Sequence, residues 1–129
     1  LMTASAAPDR ALVCVVDDDE SVREALPDLL GEFGFASIAF TSAEEFLAAY
    51  QRHEVDCLIL DVAMPGMTGP ELHLELKRRG YSVPVIFITA HTDPALMPRL
   101  IQQGAVECLF KPFSDVALRD AVVGARGST

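Results

Sequence analysis

Val13-Cys14-Val15-Val16-Asp17-Asp18-Asp19-Glu20-Ser21 carries four small apolar residues straight into four acids. An uninterrupted apolar run this short reads as a strand covered on both faces, and the abrupt change to acids marks where it leaves the sheet. Residues 12–16, 36–40, 57–60, 85–88 and 107–110 repeat the pattern as five apolar runs rich in β-branched residues. Helical spacing fills the gaps between them. Val22, Ala25, Leu26, Leu29, Leu30 and Phe33 make one apolar stripe that Gly34 stops, with Pro27 inside it expected to bend or distort the helix. Ser42 and Glu45 form a capping box for a second helix, and Pro70 suits the first turn of a third that runs to Arg79 before Gly80. A fourth lies between Asp93 and Gln103, its start blurred by Pro94 and Pro98; a fifth is capped by Ser114 and runs to about Val123.

Strand–helix alternation of this kind predicts an α/β fold with a parallel sheet and right-handed crossovers. In such sheets the working site lies at the carboxyl ends of the strands, near the point where strand order reverses. At 129 residues and 50% hydrophobic, the chain suits one domain with its own core. We place that domain at 11–124, after an aperiodic lead-in over 1–10 and before a tail or linker stub at 125–129.

The formal net charge of -9 argues against direct contact with nucleic acid or anionic membrane. The one basic cluster, Lys77-Arg78-Arg79, precedes Gly80 and complements the end of a helix dipole. Cys14, Cys57 and Cys108 each sit in an apolar run without metal-binding spacing, and His53, His73 and His91 are scattered, so buried reduced thiols are expected and a zinc site is not. No apolar stretch approaches the ~18 residues of a membrane helix. These features predict a soluble, cytoplasmic protein.

The strand ends carry the chemistry. The first run ends in Asp17-Asp18-Asp19, the third in Asp61, the fourth in Thr89 and the fifth in Lys111. Each alone is an ordinary cap, strand end or surface charge, but the fold gathers them along one edge. Two carboxylates about 4 Å apart repel by roughly 4 kcal/mol at an effective dielectric of about 20. Lys111 supplies one compensating charge, and an all-oxygen cluster without Cys or His suits a hard divalent ion, Mg²⁺ or Mn²⁺. A carboxylate-held ion beside a lysine and a hydroxyl suits a phosphoryl group. A flavin phosphate would be repelled by the three aspartates. A dehalogenase-type phosphatase would need a second acid two residues after Asp61, where Ala63 stands; neither a GxGxxG nor a Walker A loop is present.

The motifs VVDDDE, LILDVAMPGMTG around Asp61, VIFITAH through Thr89 and LFKPF around Lys111 resemble the receiver domain of two-component response regulators, over about 11–123. The AMPGMTG, SAEEFL and ITAH segments look most like the FixJ-type branch, whose full-length members carry a LuxR-type DNA-binding output domain. The resemblance implies a flavodoxin-like (CheY-like) doubly wound sheet of five parallel strands in order 2-1-3-4-5. It implies Asp61 as phosphoacceptor and Mg²⁺ held by Asp17, Asp18, Asp61 and the Ala63 carbonyl. Thr89 would turn toward the phosphoryl group and Lys111 would pair with it, with Pro112 after a cis peptide. Asp19 lies outside the acidic pair and is expected to cap the first helix, in competition with a Ser21/Glu24 capping box. Cys108 departs from the pattern, for it stands where receivers carry the aromatic switch partner of the threonine, and its small thiol is expected to act as a core residue. Ala63 and His91 occupy positions that tune phosphoryl lifetime.

The resulting expectation is a phosphorylation switch rather than an enzyme, one that catalyses only its own phosphoryl transfer and slow autodephosphorylation. Its partners would be a sensor histidine kinase, an output domain in a longer chain, and a second copy through the fourth helix, fifth strand and fifth helix. A stand-alone regulator, a pseudo-receiver interaction module and, less favoured, a Mg-dependent aspartyl phosphatase are the alternatives. A pseudo-receiver would usually lack an Asp, Thr or Lys of the set, and none is lost here.

Overall fold

The computed structural model of the chain describes residues 10–50, 54–91 and 93–127. His53, most of the lead-in at 1–10 and the last two residues of the expected tail lie outside the described residues. Five strands, β1 (Leu12–Val16), β2 (Ala36–Phe40), β3 (Cys57–Asp61), β4 (Val85–Thr89) and β5 (Glu107–Phe110), alternate with α1 (Glu20–Glu32), α2 (Ala43–Tyr50), α3 (Gly69–Arg78), α4 (Leu96–Gln103) and α5 (Asp115–Gly127). They pair in parallel in the order β2-β1-β3-β4-β5, as expected. The order reverses between β1 and β3, and this sets the site.

Side-chain alternation divides the interior into two cores. Cys14, Val16, Leu58, Leu60, Val85 and Phe87 face α2, α3 and α4, where they meet Phe46, Leu72, Leu76 and Leu100. Val13, Val15, Cys57, Ile59, Ile86 and Ile88 face the other way, onto Leu26, Leu30, Leu118 and Val122 of α1 and α5. Every residue of β3 and β4 is buried, which explains their unbroken apolar runs. All three cysteines are free and buried; burial pushes the Cys14 and Cys57 thiols up to about 12 and raises that of Cys108, so all three stay protonated at neutral pH.

Several helix ends follow the sequence and some refine it. Pro27 leaves α1 a single helix, because Leu26 and Leu30 anchor both sides of it in the core. Glu45 N–H donates to the Ser42 Oγ at 3.0 Å as the capping box predicts, but the Glu45 carboxylate accepts from the Thr41 amide at 2.7 Å, one residue earlier. A box not read from the sequence opens α3, where Thr68 and Glu71 cap each other. The α5 helix continues past Val123 to Gly127, since Ala125 still faces the core with no exposure.

Candidate functional site

The parallel register brings the strand ends into one cleft. Asp17 follows the last residue of β1, Asp61 closes β3, Thr89 closes β4 opposite Phe110, and Lys111 follows β5. The Lys111 amide donates to the Thr89 carbonyl at 2.7 Å, and the Val62 amide to the Ile88 carbonyl at 3.1 Å, so the ladder is extended one step at these corners. Asp17 has no solvent exposure and Asp61 only 6%, whereas Asp18 is exposed at the rim.

Lys111 is the cation within the cleft. Its Nζ donates to Asp17 Oδ2 at 3.0 Å and to Asp61 Oδ1 at 3.5 Å, so the lysine sits closer to Asp17 than to Asp61. Burial lifts the Asp61 carboxyl to about 7, with the Asp17 charge adding to the effect and Lys111 opposing it. Partial burial pulls Lys111 down, but the Asp17 hydrogen bond and the charges of Asp17 and Asp61 outweigh it and hold the ammonium above its ordinary range. One lysine therefore leaves the cluster with excess negative charge.

A divalent ion fits that imbalance. One oxygen from each of Asp17, Asp18 and Asp61 lies within 4.8 Å of the others, the sole such ligand group among the described residues. Oxygens sharing an octahedral ion at about 2.1 Å lie roughly 3–4 Å apart, so these carboxylates need close up only slightly. The donors are all oxygen, which suits Mg²⁺ and disfavours zinc.

Asp19 separates from this group. Its Oδ1 accepts from the Ser21 amide at 2.9 Å and the Ser21 hydroxyl at 2.7 Å, which makes it the N-cap of α1 and holds its carboxyl below the usual range. The competing Ser21/Glu24 box does not form, because α1 begins at Glu20 with Asp19 as its N-cap and Ser21 already lies in its first turn. The Asp19 amide donates to Asp17 Oδ1 at 2.9 Å, so the cap also braces the buried acid.

Thr89 is buried, and its Oγ1 accepts from the His91 amide at 3.0 Å, leaving the hydroxyl proton free for an acceptor in the cleft. Ala63 and His91, which lie two residues beyond Asp61 and Thr89 in the chain, are exposed, and the peptide between Lys111 and Pro112 is cis. Cys108 packs in the α4-side core with Phe87 and Leu100, 2% exposed.

Two contacts at the rim escaped the sequence reading. Arg23 Nη1 donates to the Asp17 carbonyl at 3.0 Å, and Glu44 Oε2 accepts from the Met67 amide at 3.0 Å. The signal for the second was present in SAEEFL, which holds one acid more than its capping box needs.

Comparison with known proteins places this arrangement. The family described as "Response regulator receiver domain" matches residues 13–123. Nodulation protein W of Bradyrhizobium diazoefficiens is 43% identical over 92% of the chain, and the transcriptional regulatory protein FixJ of Azorhizobium caulinodans is 42% identical over 93%. The chain spans about half the length of the curated relatives it matches, 52% and 57% for these two. Among solved structures, that of FixJ-N superposes with a TM-score of 0.86 at 35% identity, covering 94% of this chain and 97% of that one. No helix among the described residues is long and apolar enough to cross a membrane. A match running from the first strand into the last helix, with relatives at this identity, establishes that the chain belongs to the response regulator receiver domain family of two-component signalling, in its FixJ-like branch.

Proposed function

We propose that Asp61 accepts a phosphoryl group from the phosphohistidine of a sensor histidine kinase, in a reaction that needs Mg²⁺ held by Asp17, Asp18, Asp61 and the Ala63 carbonyl. The supporting observation is that Asp61 stands beside two further acids and one lysine, with a buried hydroxyl at the end of the neighbouring strand. Magnesium supplies charge neutralisation for the carboxylates and the incoming phosphoryl oxygens.

The chain's residues do the rest. An Asp61 oxygen forms the new O–P bond as the donor's P–N bond breaks; the electron pair leaves with the imidazole, which takes its proton from solvent. Lys111 shifts from Asp17 toward the phosphoryl oxygens, and the Thr89 hydroxyl donates to one of them. Ala63 and His91, two residues beyond Asp61 and Thr89, set how easily water reaches the acyl phosphate. Ala63 cannot supply the acid that a fast phosphatase would place at this position, so the phosphorylated form persists and the domain is a switch.

The longer relatives support an excised receiver whose chain carries an output domain, of LuxR type in the FixJ-like branch, and works in the cytoplasm. Phosphorylation adds charge at the strand ends and biases the β4–α4 loop and α4. A second copy docks on the face formed by α4, β5 and α5, while Cys108 acts as a core residue without the usual ring movement.

Incubation with Mg²⁺ and acetyl phosphate or phosphoramidate, followed by intact-mass measurement, tests this reading. A gain of one phosphoryl group that is absent in Asp61→Asn is expected. No gain with any donor would overturn it, and rapid release with turnover would favour the phosphatase.

A further inference from the structure

The loop that leaves Asp61 has few anchors of its own. The Gly69 amide donates to the Val62 carbonyl at 3.0 Å, and Thr68 and Glu71 cap each other at the far end. Between those points lie Ala63 to Met67, whose backbone carries, among the described residues, one further hydrogen bond: the Met67 amide to Glu44 Oε2 at 3.0 Å. Glu44 reaches it from the first turn of α2, 23 positions earlier in the chain.

That reach is not a by-product of capping. The end of α2 is served by Ser42 and Glu45, whose carboxylate is taken by the Thr41 amide and hydroxyl at 2.7 and 3.2 Å. Glu44 is left to the loop, and the loop is shaped to receive it. Gly66 holds φ +74, where side chains are disfavoured, and a Cβ there would come within 2.9 Å of Glu44 Oε2. The positive φ favours glycine at this place, and a side chain there would displace the Glu44 carboxylate from the loop. A charged acceptor makes the bond stronger than an ordinary amide–carbonyl pair.

We propose that Glu44 is a positioning residue of the phosphoacceptor centre: by accepting the Met67 amide it fixes the loop after Asp61, and with it the Ala63 carbonyl, in the form that takes the divalent ion. The inference rests on the proposed metal site. A loop ordered before the ion arrives loses less freedom on binding, so the effect falls on metal affinity more than on global stability.

The test is a Mg²⁺ titration of the intact chain followed by the amide resonances of residues 61–67, with Met67 amide exchange measured in the metal-free protein. Glu44→Ala is expected to speed Met67 exchange and to raise the Mg²⁺ Kd about tenfold, while its thermal midpoint moves little. Glu44→Gln, which keeps an oxygen acceptor but drops the charge, is expected to restore the larger part of both. Equal Mg²⁺ affinity in wild type and Glu44→Ala, with wild-type phosphorylation intact, would overturn the positioning role alone. A Glu44→Gln variant that restores slow Met67 exchange yet leaves Mg²⁺ affinity at the Glu44→Ala level would overturn it too, by showing that the carboxylate's charge, and not the hydrogen bond to the loop, acts on the ion. A wild-type chain that takes up no Mg²⁺ and no phosphoryl group would instead overturn the metal-site reading, and this role with it.

Discussion

Asp61 is where burial and like charge act most strongly on a single side chain. Its carboxyl is lifted from an ordinary 3.8 to about 7, so between those values the folded protein holds a proton that the unfolded chain has released. Stability contributed in this way is fully present below about pH 4 and is lost as pH rises through about 7. His73 tilts the opposite way: burial and then Lys77 push its pKa to about 4, so its contribution is lost as pH falls below 6.5. Comparing Asp61→Asn with wild type cancels the histidine. In metal-free buffer, the stability advantage of Asp61→Asn in urea melts should grow from pH 4 to pH 7 and level off above, reaching on the order of 1 kcal/mol after allowing for the solvent that reaches the cleft. Added Mg²⁺ should shrink the advantage at pH 8; an advantage independent of pH would mean that Asp61 ionises normally. The sequence made Asp17, Asp18, Asp61, Thr89 and Lys111 legible as a group because each ends a strand, and a parallel sheet aligns strand ends by construction. It did not tell that Lys111 stands nearer Asp17 than Asp61, since that depends on how a long flexible side chain balances several charges.

At the scale of elements, the apolar runs mark all five strands, most plainly β3 and β4, every residue of which is buried. The helix ends were legible wherever one residue had one partner, as at Ser114, whose Oγ accepts from the Ala117 amide at 3.0 Å. They were ambiguous where two caps competed. Asp19 wins at α1 because it takes both the amide and the hydroxyl of Ser21, a choice made by geometry rather than composition. The start of α3 shows a constraint that residue type alone conceals. A Cβ on Gly69 would lie 2.1 Å from the Asp61 carbonyl oxygen and 3.1 Å from the Val62 Cα, both backbone atoms that cannot rotate away. Helix and strand end are thus pressed together, and this sets where the phosphoacceptor's backbone stands. Gly69→Ala should therefore cost about 1–3 kcal/mol or more and slow phosphorylation by acetyl phosphate. Gly31, in α1, provides the control, for a methyl group added there would meet nothing within 4 Å. Gly31→Ala should raise stability by about 0.5–1 kcal/mol and leave phosphorylation unchanged. Equal urea midpoints for the two variants would show that the Gly69 contact relaxes without consequence.

The whole molecule is two cores back to back, one under α1 and α5 and one under α2, α3 and α4, with the acidic cleft spanning their common edge. A charge change in the cleft reaches a partner surface only through side chains that link the two. Receivers of this family use an aromatic ring at the position of Cys108; here the thiol is 2% exposed and packs with Phe87 and Leu100 on the α4 side. That substitution was legible in the sequence, but its consequence was not, because it depends on whether the α4 core has space for a ring. Phe87, its cross-strand neighbour, has no exposure, and Leu100 of α4 is 3% exposed. A tyrosine placed at 108 cannot fit inward without repacking, and it should stand outward on the α4–β5–α5 face. There Ile101, Val116 and Val123 are already 40%, 58% and 55% exposed. Cys108→Tyr should therefore enlarge that apolar face and strengthen self-association after phosphorylation, measured as a several-fold lower dimer dissociation constant by sedimentation of the acetyl-phosphate-treated protein. Dimerisation that is unchanged by the ring, with Asp61 phosphorylated to the same extent, would show that the signal reaches this face through α4 and its loop without passing position 108.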